Sequence, residues 1–88
     1  MFAEQELQAI YAEKAKSLSD VELRAELTSD LHSLLSINLD AELALQTAMY
    51  YAEFGRRHLM DAGIEDRIAS MLTKYGPCWG IPAGQCKE

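Results

Sequence analysis

The first glycine in the chain is Gly55 and the first proline is Pro77. No other feature narrows the fold so far. Gly and Pro are the residues that punctuate turns and interrupt helices, so the long stretch before them has few places to break. Strand signals are also missing. There are no alternating β-branched runs and no Asn-Gly or Asp-Gly pairs to turn a hairpin. The expected fold is all-α: a small domain of three to four helices, a long central third helix, and an irregular C-terminal tail folding back on it. Residues 1–76 are expected to form the single helical domain and residues 77–88 the tail.

Apolar spacing places the helices. Leu7, Ile10, Tyr11 and Leu18 share a face over 3–17. Helix two has the clearest start. In L-S-D-V-E-L, residues 18–23, Ser19 can accept from the backbone three residues on while Glu22 reaches back, a capping box. Leu18 and Leu23 flank it as a hydrophobic staple. Leu23, Leu27, Leu31, Leu34 and Leu35 then follow at helical spacing, ending near 36–38. A third helix is predicted from Asn38 or Asp40 to about Ala62, with Gly63 as the residue that ends it. Its polar stripe, Glu42, Gln46 and Glu53, is narrow. A helix covered on one side shows about half its circumference polar, so this one should be covered on more than one side. Ile64, Ile68, Leu72 and Tyr75 mark a fourth helix over 64–75, stopped by Gly76-Pro77.

Eighty-eight residues make one domain. A chain this short buries only roughly 60–65% of its unfolded surface, so a partner subunit is a natural source of added stability. Homodimerisation through the third helix is one way to cover its extra apolar surface; a compact monomer is the other. No run approaches the roughly 18 apolar residues of a membrane span. The start, MFAEQELQAI, lacks the basic and apolar segments of a secretory signal. The expectation is a cytoplasmic protein with no membrane partner and with reduced thiols.

Net charge is −6 and unevenly placed. Residues 1–53 carry ten acidic and three basic side chains, hence −7; residues 54–88 carry four and five, hence +1. Such a front half repels phosphate backbones, so direct nucleic-acid binding is not expected. It would attract a basic groove on another protein.

Residues that could carry chemistry are few. His32, His58, Cys78 and Cys86 are zinc ligands by type, but their spacing matches no metal motif, and two ordinary, partly exposed histidines are the plainer reading. Cys78 and Cys86 stand eight apart around two glycines and a proline; they could close a clip or remain thiols. There is no Glu-x-x-His for a carboxylate-bridged metal pair, no phosphate-binding glycine loop and no nucleophile elbow. D-L-H-S-L-L at 30–35 is faintly similar to the serine site of peptidyl carrier domains, yet it lacks their glycines and places Ser33 mid-helix. No catalytic residue, cofactor or metal is assigned.

What remains points to binding. Tyr50 and Tyr51 are adjacent, so on a helix they point about 100° apart; one should line the core and the other meet the tail or another chain. Arg56, Arg57 and His58 form a short basic patch. Tyr50, Tyr51, Glu42, Glu53, Arg56, Arg57 and Trp79 are the candidate interface residues. The leading expectation is a non-catalytic regulator or inhibitor acting by protein–protein contact, of the kind phages and plasmids use to block a nucleic-acid-binding host machine. The alternatives are a structural subunit or chaperone packing its long helix into a partner bundle, and a Cys/His metal-binding protein. Trp79 is expected to pack on the helical body and not to hang free.

Overall fold

The computed structural model describes residues 4–36, 40–76 and 79. These form four α-helices: α1 (Glu4–Ser17), α2 (Asp20–Ser36), α3 (Ala41–Arg56) and α4 (Ala62–Tyr75). The all-α expectation holds.

The α1–α2 corner is made by the capping box. Ser19 N donates to Glu22 Oε1 at 3.0 Å, and Glu22 N donates to Ser19 Oγ at 3.1 Å. Leu18 and Leu23, the staple pair, both join the core. Later starts use aspartate. Asp40 accepts from Leu43 N and Asp61 from Ile64 N, each satisfying an amide that the first turn leaves without a partner.

The main difference from the sequence-based expectation lies after α3. The helix ends at Arg56 after 16 residues and does not continue to Ala62. His58 N donates to Gly55 O, and Leu59 N donates to Phe54 O. That pair is the Schellman closure. The left-handed position within it is occupied by His58, at φ 59°, and not by a glycine. Histidine tolerates this region better than most residues, so the stop carries no glycine signal. Gly63 instead lies in the first turn of α4. Gly76, at φ 87°, ends α4 as expected, with its N–H bonded to Leu72 O.

α3 is the centre of the packing: it contacts both α1 and α2, and α4 packs on α2. Polar contacts fix the directions. Tyr11 reaches Glu42 near the start of α3, and the α3 terminus reaches Ala15 and Lys16, so α1 and α3 run parallel. Asp30 meets Gln46 and Asp20 meets Arg57, so α2 and α3 run antiparallel. Arg24 meets Asp61 and Tyr75 meets Leu34 O, so α2 and α4 run parallel.

The core unites Ala15, Leu23, Leu27, Leu31, Leu34, Ala44, Tyr50, Phe54, Ile64, Ile68 and Met71. Leu35, Tyr51, Tyr75 and Trp79 pack against its edge. Two predicted core residues stand further out: Ile10 is 45% exposed and Leu72 44%. Met71 takes the inward place on α4, one residue before Leu72. Burial of this set is the main stabilising contribution, at about 25 cal/mol per Å² of apolar surface removed from water.

Neither α1 nor α2 has a glycine at its end, and their last carbonyls are capped from a distance. Arg57 Nη2 donates to Ala15 O and Lys16 O, both at 3.1 Å. Lys74 Nζ donates to Leu34 O and Leu35 O, and Tyr75 Oη to Leu34 O at 2.5 Å. Cations placed there also meet the negative end of each helix dipole.

Candidate functional site

Two polar clusters interrupt the apolar body. The first sits where α1, α2 and α3 converge. Glu53, 5% exposed, accepts two bonds from Arg56, Nε at 2.9 Å and Nη2 at 2.5 Å, and a third from Arg57 Nε at 2.7 Å. Arg57 continues through Nη1 to Asp20 at 3.0 Å. Arg56, and with it Arg57, holds the Glu53 carboxyl at about 2, below its ordinary 4.5. One guanidinium thus ties the end of α1, the start of α2 and the last turn of α3. Its planar fork allows several bonds at once.

The second cluster lies between α1 and α2, over α3. Asp30 is 8% exposed. It accepts from Gln46 Nε2 at 2.9 Å. Burial pushes its carboxyl up, partly offset by Gln46 and Lys14; Glu26, one turn earlier on α2, adds to the rise. Tyr50 is wholly buried, and no described group completes a hydrogen bond to its hydroxyl. The Lys14 ammonium stands beside that hydroxyl and feels both Glu26 and Asp30; Tyr50 is the main cause of its raised pKa. Thr47, also fully buried, returns its hydroxyl to Leu43 O at 2.7 Å. At the outer end of the same seam Tyr11 donates to Glu42 Oε1 at 2.6 Å. That bond favours the protonated phenol and pushes Tyr11 up to about 12.

The seven candidate interface residues therefore separate. Tyr50 and Glu53 lie inside the chain. Arg57, 16% exposed, is committed to the three-helix junction. Tyr51 and Trp79 are half-buried against the core, which is where Trp79 was expected. Glu42 and Arg56 face solvent with their bonds to Tyr11 and Glu53. Asp30 and Lys14 were not singled out from sequence, and Gln46 entered only as part of the polar stripe of the third helix. An aspartate on the leucine face of α2, three residues after Leu27 and four before Leu34, is the signal that would have found the first.

His32 and His58 are both exposed, on α2 and in the α3–α4 turn; Cys78 and Cys86 lie outside the described residues. Ser33 is within α2, half-buried. Among the described residues no helix is long and apolar enough to cross a membrane.

The charges show a consistent division. Every described cation is engaged by the chain itself. Lys16 pairs with Glu13, Arg24 with Asp61, Arg56 with Glu53, and Arg57 with Glu53 and Asp20. Arg67 donates to Gly63 O, Lys74 caps α2, and Lys14 faces Tyr50. Glu6, Glu26, Glu65 and Asp66 are exposed, and their carboxylates bond to no described residue.

The fold and these clusters define a four-helix acidic protein with a polar seam between α1 and α2. No protein family, curated protein or solved structure matches the chain.

Proposed function

We propose that this chain is a non-catalytic binding protein that docks its acidic surface onto a basic face of a larger protein, as a regulator or inhibitor. The observation that carries the proposal is the division of charge. The cations are engaged in internal bonds and helix caps, while Glu6, Glu26, Glu65 and Asp66 point outward without partners. The described surface therefore keeps carboxylates without a counter-charge while the chain as a whole is acidic, and such a field steers a basic surface into encounter. A groove built to hold nucleic acid has the complementary sign, so a nucleic-acid-binding machine of the host is the partner class that fits, as for an inhibitor of phage or plasmid type.

The test is affinity capture from the native host, with elution by a salt gradient. Basic proteins released as salt rises through a few tenths molar support the proposal, because interactions between exposed charges are screened beyond about 8 Å near physiological ionic strength. Partners retained through high salt, or capture of nucleic acid by the purified chain, overturn it.

A further inference from the structure

We propose that the seam between α1 and α2 is the anchoring point of that basic partner: an arginine side chain of the partner displaces Lys14 and pairs with Asp30 and Glu26. The inference rests on the acidic-docking function above and places it at particular residues.

Three observations meet at the seam. First, α1 and α2 are joined by a short corner, yet both pack chiefly on α3. On α3 beneath them, Gln46 bonds to Asp30, and Thr47 and Tyr50, within one turn of Gln46, are fully buried. Second, the acceptors of the seam are incompletely used. Asp30 takes one full hydrogen bond, from Gln46 on Oδ2, with the Thr47 hydroxyl as a weaker neighbour; the Glu26 carboxylate bonds to nothing described, and the buried Tyr50 hydroxyl is approached by Lys14 without a completed hydrogen bond. A buried hydroxyl left without a partner is destabilising, and an incoming N–H donor would relieve it. Third, the seam already accommodates a cation. The ammonium of Lys14, an exposed residue, stands among Tyr50, Glu26 and Asp30 without closing an ion pair to either carboxylate. A guanidinium has the donors to serve Asp30, Glu26 and Tyr50 together, which one ammonium on a neighbouring helix does not achieve. Ile10, 45% exposed and one turn before Lys14, gives the rim an apolar contact for the stem of such a side chain.

The test uses the intact chain and an octa-arginine peptide as probe, at low salt, with variants matched for charge. Lys14→Met is compared with Lys16→Met, and Asp30→Asn with Asp66→Asn. Each pair removes the same charge, once inside the seam and once outside it. Lys14→Met is expected to tighten binding about fivefold more than Lys16→Met, and Asp30→Asn to weaken it about tenfold more than Asp66→Asn. On titration the Gln46 side-chain amide and Tyr50 ring signals should shift in the wild type, and in Asp30→Asn only at about tenfold higher peptide concentration. If the peptide binds but each pair behaves alike, the seam is overturned while acidic docking stands. If the peptide does not bind at low salt, both fail. Circular dichroism of each variant confirms the fold, and Asp30→Asn, isosteric and neutral, retains an acceptor for Gln46.

Discussion

Arg57 donates to Glu53 across one turn of α3, Nε to Oε2 at 2.7 Å, and both side chains are withdrawn from solvent, at 16% and 5% exposure. Through the same guanidinium, α1 loses its open C-terminal carbonyls and α2 gains a partner for Asp20. Removing the arginine should therefore affect three helices together. Arg57→Met is expected to lower the urea midpoint clearly, because the nearly buried Glu53 carboxylate loses one of its partners and α1 loses its cap. Arg57→Lys should recover only part of it, since an ammonium does not reproduce the fork. Urea unfolding followed by circular dichroism measures both.

The same pair gives the fold an acid limit. Glu53 titrates at about 2 in the folded chain against an ordinary 4.5. A depressed carboxyl contributes stability that is complete above the unfolded value and is lost as pH falls through the folded one. The urea midpoint should decline from pH 4.5 towards 2, and Glu53→Gln should remove most of that slope.

Asp30 has the opposite sign. Its carboxyl is pushed up, chiefly by burial. Its favourable contribution exists below the unfolded value and is lost as pH rises through the folded one, so ionised Asp30 weakens the fold at neutral pH. Asp30→Asn is expected to raise stability at pH 7 by about 1 kcal/mol. The gain should vanish near pH 3. A residue that reduces stability where a neutral isostere would not is one that binding has reason to retain.

His58 occupies the left-handed position that ends α3. Glycine meets no steric penalty there, whereas another residue does, at roughly 1–2 kcal/mol. His58→Gly should raise the thermal midpoint, with a net gain of about 0.5 kcal/mol after the added freedom of the unfolded chain. An unchanged or lower midpoint would show that the imidazole contributes more than its backbone conformation costs.

At the α1–α2 corner, Ser19→Ala should cost about 1 kcal/mol, the usual value of an N-cap. Glu22→Ala in the Ser19→Ala background should cost less than Glu22→Ala alone, because the two bonds are reciprocal.

The residues differ in how far they could be read in advance. The start of α2 was legible because a capping box is local: Ser19 and Glu22 stand three apart and need no third element. The end of α3 was not. Apolar spacing runs on through Leu59 and Met60, Gly63 resembles a stop, and the residue that turns the chain is a histidine. At the candidate site, Arg57 looked like part of a surface patch and Asp30 like one more carboxylate on an acidic helix.

By itself the sequence determined the helical class, the α1–α2 corner, the leucine face of α2, the stop at Gly76 and the sign of the surface charge. Each follows from spacing within a few residues or from a sum over side chains, which no tertiary contact alters. Only the tertiary structure decided that Arg57 caps α1 from 41 and 42 residues away, that Lys74 and Tyr75 cap α2, and that Asp30 is buried beside Gln46. A charged group takes its role from the partners it meets and the water it loses, and both are set when distant helices pack.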